Sequence, residues 1–174
     1  MVLVLDASNL ILGRLASESS TLIKGKPIKA TGTNVEGKVV TPVLKAGEKL
    51  IIINADKAVI TGDPLKTTKH YVQRAHKKVN TNPRRGPFMP RQPEDIVRRA
   101  IRGMIKYKTP SGKAAYRRLE VYVGVPKPEF KEQAIRFNHI TADHMLCKRI
   151  TVGELGRRLS TYTTSIGFVE KGSA

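Results

Sequence analysis

The sequence is poor in the residues that mark secreted and membrane proteins. It has one cysteine, Cys147, among 174 residues, which excludes an internal disulfide and is typical of a reducing compartment. No run of about 18 apolar residues occurs, so no membrane span is predicted. The N-terminus, MVLVLDASN, lacks the basic residue and long apolar stretch of a secretory signal. These absences predict a cytoplasmic protein.

Acidic residues are also scarce. The chain has 14 Asp and Glu against 32 Lys and Arg, which gives a net charge of +18. The hydrophobic fraction of 40% is ordinary, so the chain is expected to fold and not to behave as a disordered basic tail. An excess of positive charge on a folded domain predicts a polyanionic partner.

The positive charge is concentrated in the middle of the chain. Residues 1–60 and residues 121–174 each hold eight basic and five acidic residues, so each end contributes only +3. Between Lys66 and Arg118 there are sixteen basic residues and two acidic ones, Glu94 and Asp95. We call residues 66–118 the basic zone, and its charge indicates a localised binding surface.

Hydrophobic periodicity predicts an α/β fold. Buried strands are predicted at 2–6, 49–54 and 118–124, and a helix that ends at Gly25 follows the first strand. Residues 26–47 are predicted to form a loop or small hairpin. The spacing of Thr151 and Glu154 is that of a capping box and predicts a short helix. Strands that alternate with helices indicate a mostly parallel sheet covered on both faces.

Two amphipathic helices are predicted inside the basic zone, over 65–79 and 93–107. The first is expected to bury Leu65, Val72, Ala75 and Val79 and to expose Lys66, His70, Arg74, Lys77 and Lys78. The second is expected to bury Ile96, Val97, Ala100, Ile101, Met104 and Ile105 and to expose Arg98, Arg99, Arg102 and Lys106. Each helix would pack one face and present charge on the other.

The segment that joins these helices, TNPRRGPFMPRQP at 81–93, is a proline-rich basic loop. It has almost nothing with which to build a core, and a structureless stretch of that length in a compact domain is usually functional or disordered. We therefore expect a bound polyanion, more than the protein itself, to hold it. In the free protein it should be the first site of tryptic cleavage.

Two other candidate sites are weak. Residues 32–39, GTNVEGKV, nearly match a phosphate-binding loop, but Val39 replaces the magnesium-binding hydroxyl and the sequence that follows is β-like. A nucleotide-dependent enzyme remains the runner-up function on this near-match alone. His139, His144 and Cys147 lack the spacing of a structural zinc site, which favours packing roles over metal binding. No nucleophile elbow or carboxylate pair is present, so no enzyme is predicted.

The composition also narrows the choice of polyanion. Aromatic residues are few, which argues against recognition of single strands by base stacking. No helix-turn-helix or zinc finger is visible. Recognition of phosphate backbone and shape by Lys and Arg remains, and it suits folded RNA. A non-specific DNA-compacting protein is a third alternative.

Four motifs resemble a known family in sequence and in order. They are DASNLILGRLAS at 6–17, INADKAVITGD at 53–63, KHYVQRAH at 69–76 and RRAIRGMIKYKTPSGKAAYRRLEVYVGVP at 98–126. Together they resemble the large-subunit ribosomal protein L-thirteen family. Ile105 and Lys106 follow RGM where bacterial members usually have Leu-Pro, so the chain is more similar to the archaeal and eukaryotic branch.

The resemblance implies a three-layer α/β/α domain with a central, mostly parallel sheet over residues 1–130, followed by a C-terminal extension over 131–174. It implies a structural, non-enzymatic protein of the large ribosomal subunit, without cofactor or metal. Large-subunit ribosomal RNA and neighbouring ribosomal proteins would be its partners, and it would be monomeric within the ribosome.

The RNA-binding candidates come from two sources. The resemblance implies Arg14, Lys66, Lys69, His70, Tyr71, Arg74, Arg98, Arg99 and Arg102. The charge pattern adds Lys77, Lys78, Arg84, Arg85, Arg91, Lys106, Lys108, Lys113, Arg117 and Arg118.

Overall fold

The apolar run at the N-terminus forms the strand around which the protein is built. The computed structural model describes residues 2–26, 32–34, 37–44, 47–77 and 79–164. The strands are β1 (Val2–Asp6), β2 (Gly32–Asn34), β3 (Val39–Val40), β4 (Lys49–Ile53), β5 (Val59–Thr61), β6 (Leu119–Val121), β7 (Ile135–Phe137) and β8 (Arg149–Thr151). The helices are α1 (Leu12–Ile23), α2 (Pro64–His76), α3 (Pro93–Met104), α4 (Pro110–Arg117), α5 (Pro128–Glu132) and α6 (Val152–Thr164).

Six strands form one sheet in the order β3-β2-β7-β1-β4-β6. Strands β7, β1, β4 and β6 are parallel, and β1 pairs with β4 from Val2 opposite Lys49 to Asp6 opposite Ile53. The hairpin of β2 and β3 continues the sheet in antiparallel orientation beside β7. Strands β5 and β8 form a separate antiparallel pair. The mostly parallel sheet and the small hairpin within 26–47 are confirmed.

One face of the sheet carries the main core. Leu5, Leu50 and Ile52 are fully buried there, and α1 and α3 pack over them. Helix α1 buries the residues that its periodicity predicted, including Leu15 and Leu22. It ends before Gly25, whose φ of 70° is a left-handed conformation that favours glycine.

The opposite face has a thinner cover. Val4, Ile51 and Ile53 point to this side, where Phe130 of α5 and Tyr122 pack against them. In the described part of the chain, the expected third layer is therefore reduced to one helix of five residues. Among those same residues no helix is both long and apolar enough to cross a membrane.

The C-terminal residues share the core of the N-terminal ones. Strand β7 lies between β1 and β2, and the ring of Phe137 is fully buried. Helix α6 contributes Leu155 and Leu159 to the main core. The Thr151 hydroxyl accepts a hydrogen bond from the Glu154 N–H, which is one half of the predicted capping box, while the Glu154 carboxylate accepts from Arg158. The helix predicted here is present and runs for 13 residues. The expected boundary after residue 130 remains a prediction.

Helix α2 buries only part of the face that was predicted, since Val72 and Ala75 are half-buried but Leu65 and Val79 are not covered. Leu65 is 73% exposed, and Val79 lies beyond the end of the helix. The buried side is built around Thr68, with Tyr71 and Val72 packed against the core. Contact with α6 decides this orientation, because a short helix with few apolar residues has no face that periodicity alone can select.

Helix α3 follows its predicted pattern except at its end. Ile96, Val97 and Ile101 are buried as expected, but Met104 is 41% exposed. Ile105 leaves the helical conformation with a ψ of 143°, and this turns its own side chain into the core in place of Met104.

Gly112 of α4 is expected to tolerate no side chain. A Cβ at this position would lie 2.0 Å from the carbonyl oxygen of Lys106, a backbone atom of the preceding turn. We expect Gly112→Ala to lower the free energy of unfolding by about 1–3 kcal/mol, as overpacking does. Urea unfolding followed by circular dichroism measures the change.

Gly103 of α3 is the matched control, because a Cβ there meets nothing within 4 Å. Gly103→Ala should stabilise the protein by roughly 0.5–1 kcal/mol, since alanine loses less backbone entropy in a helix. Equal stability of the two variants would show that the turn at Lys106 moves freely and does not depend on Gly112.

Candidate nucleic-acid interface

Helix α2 presents the first group of predicted cations. The Asp63 carboxylate accepts a hydrogen bond from the Leu65 N–H at 3.2 Å and caps the helix, and Pro64 occupies its first turn. Lys66, Lys69 and His70 are exposed, and so is Lys77 just beyond the helix. Lys78 lies outside the described residues.

Two of the predicted RNA-binding residues of α2 are less exposed than expected. Tyr71 is half-buried and packs against the core, and its ring meets that of His70 edge-on at 6.0 Å. Arg74 is half-buried. Both residues line a cavity of about 300 Å³ between α2 and α3, together with Met89 and Arg99.

All three predicted arginines of α3 have partners inside the protein. The Arg98 guanidinium lies 5.0 Å from the ring centroid of Tyr116, and that of Arg102 lies 4.0 Å from the ring centroid of Tyr107. Arg99 donates from Nη1 to the carbonyl oxygen of Phe88 at 2.9 Å. The positions of these three side chains are therefore set by the fold.

Glu120 is the carboxylate beside Arg98. It accepts hydrogen bonds from Lys49 Nζ at 2.9 Å and from the Tyr122 hydroxyl at 3.2 Å. The hydrogen bond from Lys49 holds the pKa of Glu120 below its usual value, and the nearby charge of Arg98 acts in the same direction while burial opposes them. Glu120 is therefore held ionised by Lys49 on β4, at the margin of the basic zone.

Helix α4 was not predicted, although it carries part of the charge. The Thr109 hydroxyl accepts a hydrogen bond from the Gly112 N–H at 3.2 Å, and Pro110 occupies the first turn. The pair Thr109-Pro110 is the signal that would have indicated a helix start. The turn before α4 and the helix itself expose four predicted cations: Lys106, Lys108, Lys113 and Arg117.

Arg118 has a structural partner. It is half-buried and donates from Nη2 to the carbonyl oxygen of Ile23 at 2.9 Å, across 95 residues of sequence. A cation at the last carbonyls of α1 stabilises the negative end of the helix dipole. Lys24 does the same for α3, since its Nζ donates to the carbonyl oxygen of Met104 at 3.0 Å. Arg14 is exposed in the first turn of α1.

The loop at 81–93 is attached to the protein at its C-terminal half. Arg99 holds the backbone at Phe88 through its hydrogen bond to the carbonyl oxygen. The backbone at Arg91 packs closely on Gly156 of α6, where an added Cβ would lie 3.1 Å from the Arg91 carbonyl oxygen. The protein therefore contributes contacts to this half of the loop, and the expectation that a bound polyanion holds the segment more than the protein does remains a prediction. Its N-terminal half forms a turn in which the Asn82 side chain accepts from the Arg84 N–H. Arg84, Arg85 and Arg91 are exposed.

These elements form one connected surface. Arg99 lines both the cavity between α2 and α3 and a second cleft of about 600 Å³. The second cleft also contains Arg102, Lys106 and Lys108. Across the described ranges, no basic-zone cation lies in a salt bridge with a carboxylate. The name basic surface is used below for the exposed side of the basic zone on α2, the loop at 81–93, α3 and α4.

Neither the near-match to a phosphate-binding loop at 32–39 nor the set of His139, His144 and Cys147 has the geometry of the site considered for it. Gly32 and Val39 lie in the paired strands of the β2–β3 hairpin, so no helix follows the phosphate-loop near-match. His139 faces Glu18, with 3.6 Å between Nε2 and Oε1, and Cys147 is exposed. Within the part of the chain that the structure covers, no three or more His, Cys, Asp or Glu side chains are grouped as metal ligands.

Comparison with known proteins identifies the family. The family model described as Ribosomal protein L13 matches residues 1–128. The large ribosomal subunit protein uL13 of Methanocaldococcus jannaschii is 40% identical over 157 residues, which cover 90% of this chain and 96% of that protein. Proteins of the same name from Methanococcus maripaludis and Sulfolobus acidocaldarius are 35% and 34% identical, over 91% of this chain and 97% and 93% of their own lengths.

These relatives are archaeal, in agreement with the branch that the RGM motif indicated. Both the family and the relatives are ribosomal proteins, which confirms the prediction that the chain is not an enzyme. The match runs through the helices and the loop that form the basic surface. The chain belongs to the ribosomal protein L13 family.

Proposed function

We propose that this chain is a structural constituent of the large ribosomal subunit that binds and stabilises large-subunit ribosomal RNA through its basic surface. The connected positive charge of α2, the loop at 81–93, α3 and α4, which forms no salt bridge with a carboxylate among the described residues, is the observation that carries the proposal. Like charges held together in a free domain repel one another, and a polyanion removes that cost. RNA supplies such a polyanion.

The side chains of the basic surface suit a phosphate backbone. Exposed arginines such as Arg84 and Arg85 offer planar forks that bind two phosphate oxygens, and exposed lysines such as Lys66 and Lys108 act as mobile point charges. Phosphate contacts fix position and register more than they select sequence. The surface therefore supports recognition of folded RNA by its backbone and shape.

The curated relatives extend the proposal beyond RNA. Each is named as a protein of the large ribosomal subunit. By analogy we assign this chain to the cytoplasmic large subunit, as a monomer with ribosomal RNA and neighbouring ribosomal proteins as partners. A contribution to subunit assembly follows if binding stabilises folded RNA. Arg98, Arg99, Arg102 and Arg118 then act both as charges and as supports of the surface.

The salt dependence of binding tests the electrostatic basis of the proposal. If about eight phosphates are neutralised, the logarithm of the binding constant should fall with the logarithm of salt concentration with a slope of about −6 to −7. The slope is measured by filter binding to deproteinised archaeal large-subunit ribosomal RNA, over a range of roughly 50 to 500 mM KCl.

Competition with duplex DNA of equal length is the control for specificity. Folded ribosomal RNA should displace the protein from the DNA, because the proposed surface fits RNA shape as well as charge. Equal competition by DNA would favour the non-specific compacting protein, and a slope near zero would remove the electrostatic basis altogether.

A further inference from the structure

Among the aromatic side chains that the structure describes, Phe88 is the one that the fold leaves uncovered. It is 74% exposed, whereas the other aromatic rings among the described side chains pack on the core or on another side chain. Those rings belong to Tyr71, Tyr107, Tyr116, Tyr122, Phe130 and Phe137. Single exposed apolar side chains such as Leu146 are common on protein surfaces, and Phe88 differs from them because exposed arginines of the same loop accompany it.

The backbone presents this ring in a fixed place. Arg99 donates to the carbonyl oxygen of Phe88 at 2.9 Å, and α3, which carries Arg99, is anchored in the core by its buried Val97 and Ile101. Pro87 and Pro90 flank the ring and restrict the backbone on either side. Less conformational entropy is therefore lost when the ring meets a partner.

The charges around Phe88 identify the partner's chemistry. Arg84, Arg85 and Arg91 are exposed in the same loop, and Arg74 and Arg99 line the cavity behind it. A partner that covers the ring therefore meets positive charge from the same loop, which favours an apolar face joined to negative charge. An unpaired nucleotide has this form, because its base is a flat π surface joined to phosphates at its 5′ and 3′ sides.

We propose that Phe88 stacks on one unpaired nucleobase of the bound RNA while the surrounding arginines contact the phosphates that flank it. This inference rests on the proposed function and adds to it a contact that the low aromatic content had argued against. Stacking on an aromatic side chain is tolerant of base identity. Phe88 thus selects for an unstacked base, not for a particular sequence.

Tryptophan fluorescence tests the contact, because the natural sequence has no tryptophan. Phe88→Trp places a single reporter at the proposed site, and archaeal large-subunit ribosomal RNA should quench its emission. A fully paired RNA duplex of equal length should leave the emission nearly unchanged. Leu146→Trp is the control, since Leu146 is fully exposed outside the basic zone and should not be quenched.

Affinity gives an independent measurement. Phe88→Ala should weaken RNA binding roughly 5- to 150-fold, the range expected for the loss of one stacked base, and Phe88→Tyr should bind like the natural protein. The salt slope should stay the same in both, because no phosphate contact is lost. Leu146→Ala should leave affinity unchanged.

The outcomes separate this inference from the function on which it rests. If the natural protein fails to bind RNA at low salt, the proposed function fails. If it binds, but Phe88→Ala binds equally well and Phe88→Trp is not quenched, only the stacking contact is overturned. Emission that changes only when other large-subunit proteins are added would instead assign the ring to a protein pocket and would also overturn the inference.

Discussion

Reversing Arg84, Arg85 and Lys108 to glutamate is expected to weaken binding to large-subunit ribosomal RNA by about 100-fold or more at about 0.1 M salt. Each phosphate contact contributes about sixfold at that salt concentration relative to about 1 M, so three lost contacts multiply to roughly 200-fold. The magnitude of the salt slope should fall to about 4 as well. Filter binding across a salt series measures both quantities.

These three residues are chosen because their side chains are exposed and make no described contact with the rest of the protein. The arginines of α3 are less suitable, since Arg98 and Arg102 stack on tyrosines and Arg99 holds the loop at 81–93. Glutamate there would change structure and charge together. Circular dichroism of the reversed variant should therefore match that of the natural protein.

A second reversed variant separates a local surface from net charge. Lys57, Lys131 and Lys148 are exposed and lie outside the basic zone. Each change to glutamate subtracts two charges, so both triple variants go from +18 to +12. The control variant should lose less than about tenfold in affinity, because only the long-range attraction between its net charge and the RNA is reduced, and salt screens that attraction. Equal losses in the two variants would mean that net charge, and not the basic surface, binds RNA.

Phe137→Ala is expected to lower the free energy of unfolding by about 3–5 kcal/mol, a large part of the stability of a domain of this size. The ring is fully buried in β7, between β1 and the β2–β3 hairpin, so its removal leaves a cavity in the main core. Urea unfolding measures the loss. The residue lies beyond the 128 positions that the family model matches.

Phe88→Ala is the matched control, because it is the same substitution at a ring that is mostly exposed. We expect its stability to change by less than about 0.5 kcal/mol, as for surface substitutions in general. The two phenylalanines should thus divide their effects, with stability depending on Phe137 and RNA affinity on Phe88. A small loss of stability for Phe137→Ala would favour residues 131–174 as an extension that folds separately from the sheet.

The local elements could be predicted because their signals are local. Strands β1 and β4 are continuous apolar runs, and α1 and α3 show apolar residues at helical spacing. Helix α4 lacked such a stripe, and α2 had too few apolar residues to fix its buried face. Its orientation depends on α6, which follows it by some 75 residues.

The candidate site was predicted as a set of charges but not as an arrangement. The residues that supply the positive charge are a property of composition and position, so the basic zone needed no structure. Arg118 caps a helix whose last carbonyl lies 95 residues earlier, and no local pattern shows such a contact. The exposure of Phe88 was hidden for the same reason, because burial depends on what the rest of the chain covers.

By itself the sequence determined the mostly parallel α/β character, the family and the location of the charge. Each of these follows from residue types and their spacing along the chain. Only the tertiary structure decided which cations are held by carbonyls and rings, that β7 enters the sheet beside β1, and that the ring of Phe88 stays in water. These facts depend on contacts between residues far apart in sequence, which exist only once the chain has folded.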